Sequence, residues 1–227
     1  MNSLHTMAAT VWHRSVSLGF RLLYNELAWL YDPVSWVVSM GRWRAWQRTI
    51  LPHLPLSGRV LEVGFGPGHL LAELATDGYE PFGLDPSPGM LRLARRRMHR
   101  QGLCVPLCRG RAGAFPFARH AFDAVISTFP TAFVYDPSWI EQVVRVLRPG
   151  GRLVVVETAS FTRDVPLSSC LERLYQITGQ RGPAPDLAQL LRAAGLQAWQ
   201  ERQEVSGTSV RLTLAAKGQA GRADLPT

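Results

Sequence analysis

One short stretch, residues 60–71, constrains this chain more than any other. The apolar run Val60, Leu61, Glu62, Val63 meets glycines at 64, 66 and 68, and an apolar helical pattern starting at Leu70 follows at once. A strand that turns into a helix within so few residues needs backbone with φ > 0 and room for close approach, which glycine supplies. The helix opening there presents unpaired backbone N–H groups to a polar ligand. The stretch therefore predicts a nucleotide-type cofactor cradle at a strand–helix turn. A P-loop is excluded, because no Gly-Lys-Ser/Thr follows. The dinucleotide fingerprint G-x-G-x-x-G is missed as well, since the third glycine comes one residue early and His69 holds its place.

Strand and helix patterns alternate from residue 58 to about residue 157, which predicts a parallel sheet covered on both faces. Residues 59–63 read as the first strand. The next helix carries Leu70, Leu71, Leu74 and Ala75 on one face and ends at Gly78. Residues 81–84 form a short second strand running into Asp85. Ser87 caps the following helix and Pro88 takes its first position. That helix buries Met90, Leu91, Ala94 and Met98. Residues 103–108 and 122–127 read as the third and fourth strands. Asp136-Pro137 opens a helix faced by Trp139, Ile140, Val143, Val144 and Leu147, and Pro149-Gly150-Gly151 breaks it. Residues 152–157 are almost continuously apolar, as a strand buried on both faces requires. Helical patterns follow at 167–178 and 185–194, the second closed by Gly195. Strands at 196–205 and 208–216 are joined by Ser206-Gly207, a hairpin signal. The expected division is a helical cap over 1–55, a cofactor domain over 56–217 and a flexible tail over 218–227.

The front piece has its own periodicity. Trp12, Val16, Phe20, Leu23, Leu27 and Leu30 recur at steps of three and four, which predicts an amphipathic helix that Pro33 interrupts. A second helix is expected to carry Trp36, Met40, Trp43, Trp46 and Ile50. The pair can wall in a substrate over the open end of the sheet, or simply pack there. Trp, Leu and Arg sharing one segment also suits contact with a membrane surface.

Composition narrows the class. At 46% apolar residues the chain can fill a substantial core. No uncharged apolar run is long enough to span a bilayer, and no signal-peptide layout is visible. Cys104, Cys108 and Cys170 form neither a disulfide framework nor a metal site, and the first two are expected as small buried residues of the third strand. A cytoplasmic protein is expected, with peripheral contact at a membrane left open. The net charge is +8 and almost wholly arginine, Lys217 being the only lysine. Arg92, Arg95, Arg96, Arg97 and Arg100 read as a solvated helix face. Aromatics are not interleaved with them, so nucleic acid is not an expected partner. No signal bears on oligomeric state.

Asp85 lies at the end of the second strand, 21 residues after Gly64. A carboxylate there can accept hydrogen bonds from both hydroxyls of a ribose, although it could also serve only as a turn or cap residue. Met90, one helical turn on, suits packing against a purine or ordinary core. In order and spacing, Glu62–Gly68, Gly83–Met90, Phe122–Val125 and Arg145–Gly151 resemble the successive motifs of class I S-adenosylmethionine (SAM) methyltransferases. The resemblance covers residues 58–157. It implies an α/β, Rossmann-like, doubly wound, seven-stranded and mostly parallel sheet that ends in an antiparallel hairpin. It also implies SAM bound over the carboxyl ends of the central strands. The cofactor contacts it implies are Glu62, Gly64, Phe65, Gly66, Gly68, Asp85, Pro86, Met90, Arg111, Ala112 and Thr128. Where the family reads Gly-Asp-Ala, this chain reads Gly110-Arg111-Ala112. Arg111 cannot accept a bond from the adenine amine. Adenine is then expected against the Ala112 backbone, with apolar contact from Phe115.

The segment Tyr31–Trp46 resembles the one ahead of the glycine loop in the ubiquinone/menaquinone-biosynthesis C-methyltransferases, which carry a Tyr-Asp pair, a Ser-x-Gly turn and a following Trp. That likeness implies a small hydrophobic, quinone-like acceptor and brings Tyr31 toward the SAM tail. Two departures stand beside it. Residues 127–136 lack that family's Arg-Asn pair, and the insertion after the fifth strand is short. Phospholipid N-methyltransferases share the broad group, so methylation of a lipid amine or of another small molecule at N or O stays open. Tyr31, Tyr135 and Asp136 sit in loops able to touch an acceptor, Asp136 with a competing role as helix cap. The sulfonium donor is already activated, so alignment and exclusion of water are the main tasks. No Ser-His-Asp or metal constellation is expected, and among the histidines only His69 and His120 fall near the expected active face. A nicotinamide-dependent oxidoreductase is disfavoured by the third glycine and by the missing Tyr-x-x-x-Lys. A non-catalytic SAM-binding regulator is the remaining alternative.

Overall fold

The structure, a computed structural model, describes residues 27–162 and 185–219. The expected helices over 12–26 and 167–178, Cys170, and the tail beyond 219 lie outside those residues. Among the described residues seven strands form one sheet: β1 (Arg59–Val63), β2 (Glu80–Asp85), β3 (Leu107–Arg109), β4 (Phe122–Thr128), β5 (Leu147–Phe161), β6 (Gln197–Val205) and β7 (Thr208–Ala216). Their spatial order is β3-β2-β1-β4-β5-β7-β6. The first five run parallel, β7 is antiparallel to β5, and β6 is antiparallel to β7. The expected doubly wound sheet with a terminal hairpin is what the chain forms. The strand order reverses between β1 and β4, so their carboxyl ends flank the crevice where open α/β sheets bind ligands.

Six helices accompany the sheet among the described residues: α1 (Tyr31–Ser39), α2 (Trp43–Gln47), α3 (His69–Thr76), α4 (Pro88–Arg100), α5 (Pro137–Val146) and α6 (Leu187–Ala193). Alternation along β1 divides the core. Leu61 and Val63 join Trp139, Val143 and Leu187 on one face. Val60 joins Trp46, Ile50, Leu70 and Leu74 on the other. The period of two therefore turns Glu62 toward the Trp46 side. The expected caps are present. Ser87 Oγ accepts the Met90 N–H at 3.0 Å, and Asp136 accepts the Ser138 N–H at 2.8 Å.

Four local expectations are corrected. β3 is only Leu107–Arg109, and Cys104 is exposed while Cys108 is half-buried. Pro81 and Pro106 bring no N–H to a ladder at that edge, so pairing starts late. β5 is longer than the apolar run at both ends, because Leu147, expected on the preceding helix, already pairs with Phe122 of β4, and β7 pairs with β5 as far as Phe161. Pro33 does not interrupt a helix; it sits in the first turn of α1, where backbone N–H groups have no intrahelical partner anyway. The second front helix is instead broken at Met40 (φ 49°) and Gly41 (φ 78°), which separate α1 from α2.

Candidate functional site

The glycine loop is tied to the end of β2. Gly64 N–H donates to the Leu84 carbonyl at 2.8 Å, and Gly66 N–H donates to Asp85 Oδ2 at 3.0 Å. The Ser87 N–H donates to Asp85 Oδ1 at 2.8 Å. Asp85 thus braces the loop with one lone pair on each oxygen and keeps the others, since a carboxylate offers about four. Gly68 begins α3 in the left-handed region, at φ 75°, and a Cβ there would lie 2.8 Å from Ala94 Cβ. That glycine lets α3 cross close to α4. A Cβ on Gly66 would meet nothing within 4 Å, so the crest of the loop is bare backbone.

Two carboxylates lie in this cradle. Glu62 is fully buried, and neither of its oxygens has a hydrogen-bond partner among the described residues. Burial holds its pKa well above the ordinary carboxylate range, the Arg44 charge pulling the other way. Burial also pushes Asp85 up to about 6, against the N–H donors of Ser87 and Gly66. Arg44 itself is engaged with Glu73 and with Gln47 Oε1 at 2.9 Å. An orphaned buried carboxylate carries a high desolvation cost unless a donor or cation meets it. The cradle suits a ligand bearing a positive charge and hydroxyl donors.

Aromatic rings stand beside it. Phe129 directly follows β4 with φ 51°, its ring centroid 4.5 Å from that of Trp43 and 5.8 Å from Trp46. Tyr31 meets Trp43 edge-on at 6.3 Å, and Phe161 meets Trp46 at 6.1 Å. The Phe133 ring lies 3.8 Å from where a Cβ on Gly64 would sit. Thr128 Oγ1, at the end of β4, accepts from Gln47 Nε2 at 3.2 Å. Phe133 and Gln47 escaped the sequence reading. Gln47 had no signal, because its partner lies 81 residues away. Phe133 stands three residues before the Asp136-Pro137 helix start, a spacing that hints at a loop ring and no more.

The sequence-derived candidates divide. Glu62, Gly64, Gly66, Asp85 and Thr128 gather at the carboxyl ends of β1, β2 and β4, and the loop holding Arg111 and Ala112 adjoins them through Gly110 N–H to the Asp85 carbonyl at 3.2 Å. Arg111 is exposed, Ala112 is half-buried against the main core, and Phe115 is buried within that core. The Phe65 side chain is buried against Gly83 and Leu71, leaving its backbone to the loop. Met90 is completely buried, and Pro86 is exposed. Tyr135 hydrogen-bonds Glu157, and burial followed by that carboxylate raises its pKa, so it remains a proton donor at neutral pH. Asp136 faces solvent and caps α5. His69 Nε2 lies 2.9 Å from Asp32 Oδ1. His120 departs from expectation: it precedes the amino end of β4, across the sheet from the glycine loop. No group of three or more His, Cys, Asp or Glu placed to hold a metal occurs among the described residues.

Residues 60–151 match a family model described as a methyltransferase domain. A demethylmenaquinone methyltransferase of Renibacterium salmoninarum is 30% identical, over 81% of this chain and 78% of that protein. One from Mycobacterium sp. (strain KMS) is 32% identical, over 87% and 84%. The chain belongs to the class I SAM-dependent methyltransferases. Among solved structures, the Haemonchus contortus phosphoethanolamine N-methyltransferase 2 in complex with S-adenosyl-L-methionine superposes with a TM-score of 0.62 at 17% identity. That match covers 79% of this chain but only 53% of the worm protein, and at such identity it speaks for the fold alone. This methyltransferase has residues that fit SAM. The unpartnered Glu62 carboxylate suits a cationic amino-acid tail, the spare lone pairs of Asp85 suit ribose hydroxyls, and the bare crest at Gly66 admits close approach.

Proposed function

We propose that this chain transfers a methyl group from SAM to a ring carbon of a hydrophobic, quinone-like acceptor. The observation that carries the reading is the aromatic wall of Tyr31, Trp43 and Phe129 at the carboxyl end of β4, backed by the buried Trp46 and next to the glycine-loop cradle. A flat, greasy ring packs well on such surfaces. The likeness to demethylmenaquinone methyltransferases over most of the chain supports the same acceptor class.

SAM when bound supplies a methyl group already activated by its sulfonium. The chain's own residues have three tasks. Glu62 offers a buried carboxylate to the cationic tail, and Asp85 holds the Gly66 and Ser87 N–H groups while keeping lone pairs for the ribose. Phe129, Phe133 and Trp43 exclude water from the transfer path, which favours methyl transfer over loss to solvent. Tyr135 keeps its proton on Oη and directs it at Glu157, so its lone pairs can only accept a hydrogen bond from an acceptor hydroxyl, orienting it without deprotonating it.

The test is methyl transfer from labelled SAM to three acceptors: a demethylated naphthoquinol, phosphatidylethanolamine and phosphoethanolamine. Label on the quinol carbon is the expected result. Label on either amine with none on the quinol overturns the quinone reading in favour of N-methylation. SAM binding with no labelled product overturns catalysis on these acceptor classes.

A further inference from the structure

Helix α1 is inside out. Its polar side chains are turned to the body. Asp32 Oδ1 lies 2.9 Å from His69 Nε2, and Asp32 Oδ2 lies 3.1 Å from Arg97 Nη2. Ser39 is fully buried and accepts the Trp43 N–H at 3.0 Å. The apolar side chains are turned to solvent. Trp36 is 66% exposed, Val37 55% and Val34 39%, and Trp29, one turn ahead of Pro33, is 66% exposed. Pro33, Val34, Val37 and Val38 line one open apolar depression. A helix that only packs on its own domain points its apolar stripe inward. Scattered surface hydrophobes need no explanation, but a contiguous set marks an interaction surface.

Positive charge adjoins this face. Trp29 shares a cleft of about 320 Å³ with Arg96, Arg97 and Arg100 of α4. Arg97 is committed to Asp32 and to the Pro67 carbonyl. Arg96 and Arg100 are exposed and lie one helical turn apart. Tryptophan and short aliphatics edged by arginine suit a bilayer boundary, where indoles sit at headgroup level and guanidinium groups meet phosphate. We infer that the outer face of α1 and the Arg96–Arg100 edge of α4 dock on an anionic lipid surface. Charge complementarity selects this occupant. A second copy meeting the patch face to face would bring the same arginines together. The chain's +8 net charge acts in the same direction. The inference stands whichever acceptor is methylated.

The experiment is sedimentation of the full chain with vesicles of mixed phosphatidylglycerol and phosphatidylcholine, and with phosphatidylcholine vesicles alone. Preference for the mixed vesicles by about tenfold or more is expected, falling as salt rises. The double variant Trp36→Gln/Val37→Gln loses about tenfold in partitioning through the apolar contact. Arg96→Gln/Arg100→Gln loses a comparable factor and most of the salt dependence. Unchanged SAM affinity and melting temperature show that each variant is folded, and either pair alone tests the docking. Equal partitioning into both vesicle types, absence of binding, or full binding by both variants overturns the inference. So does a wild-type dimer in solution that the Trp36→Gln/Val37→Gln variant converts to monomer, since a second copy would then be the occupant.

Discussion

The cradle around the glycine loop and the cap made by α1 and α2 are both close to the carboxyl ends of the strands, yet they are assembled differently. In the cradle, Asp85 reaches a donor two residues ahead and another 19 behind, and every donor is backbone. In the cap, the bonds run far along the chain and almost all from side chains. Gln47 meets Thr128 across 81 residues, Trp46 Nε1 donates to Thr208 Oγ1 across 162, and Arg42 donates to the Ser206 carbonyl across 164. Arg44 and Arg48 both hold Glu73 of α3. The cradle is therefore a property of one strand–turn–helix and the strand end beside it. The cap is instead joined to the sheet by long-range side-chain bonds, several of them at the surface, and by Trp46, which is buried in one core with Val60, Leu70 and Leu74. Stability and cofactor affinity should respond differently in the two regions.

The largest effect is expected in the cradle. Gly68→Ala forces a left-handed residue with a side chain, about 1–2 kcal/mol, and sets a Cβ 2.8 Å from Ala94 Cβ and 3.3 Å from its Cα. Ala94 has no flexible end to swing away, so overpacking adds about 1–3 kcal/mol. A total near 3 kcal/mol lowers the melting temperature by about 6–12 °C in a chain of this size. Gly78→Ala is the companion measurement. It shares the positive φ, at 87°, but has nothing within 4 Å, so it should lose only the backbone part. Equal losses in calorimetry would show that close packing of α3 on α4 does not fix the loop.

The next effect is on cofactor affinity. Asp85→Asn keeps the shape and removes the charge, and a loss of about 1–3 kcal/mol in SAM binding is expected by titration calorimetry. The pH dependence gives a second reading. With a folded-state pKa of about 6 against an unfolded value of 3.8, the folded chain holds more protons between those limits. The Asp85 contribution to stability is therefore full below about pH 4 and is lost as pH rises toward 6. Affinity runs the opposite way, because ribose hydroxyls are better accepted by the charged form. SAM binding should weaken about tenfold per pH unit below 6 in the wild-type chain. In Asp85→Asn that dependence should flatten. Glu62 is raised by burial as well, so Glu62→Gln, measured over the same range, assigns any slope that remains.

The same contrast explains what could be read from the sequence. Glu62, the three glycines, Asp85 and the Ser87–Pro88 helix start fall in one window of about thirty residues, where spacing alone dictates a turn, a brace and a cap. The alternation of strands and helices then fixes the sheet, and Ser206-Gly207 fixes its hairpin. The cap was legible only as periodicity. That periodicity ran Trp36 and Trp46 along one helix, whereas Met40 and Gly41 break it, so Trp36 faces solvent while Trp46 is buried. Nothing local announces that Gln47 meets Thr128 or that Asp32 meets His69, because each bond depends on how the finished sheet presents its edge. Cys104 was misread for the same reason: a strand needs a partner with donors, and the neighbouring prolines are visible only once the register is known.

The smallest effect tests whether the outer edge of the cap, at Asp32, matters to the cofactor site. Asp32 bonds His69 and Arg97, yet its side chain is 46% exposed, so the pairs are screened and worth less than about 1 kcal/mol. Asp32→Ala should lower the melting temperature by no more than about 2–4 °C, and molar salt should shrink the difference. Burial on its own would raise the Asp32 pKa, but the hydrogen bond and charge of His69, with those of Arg97, outweigh it and hold it below 3.8. Its contribution is then present above about pH 4 and lost as pH falls further, the reverse of Asp85. Arg97 keeps its bond to the Pro67 carbonyl in the variant, so the glycine loop keeps its brace. SAM affinity at pH 7 should accordingly stay within about threefold of wild type, or less than 1 kcal/mol. A loss as large as that of Asp85→Asn would mean that the cap completes the cofactor site, and the two regions would have to be treated as one.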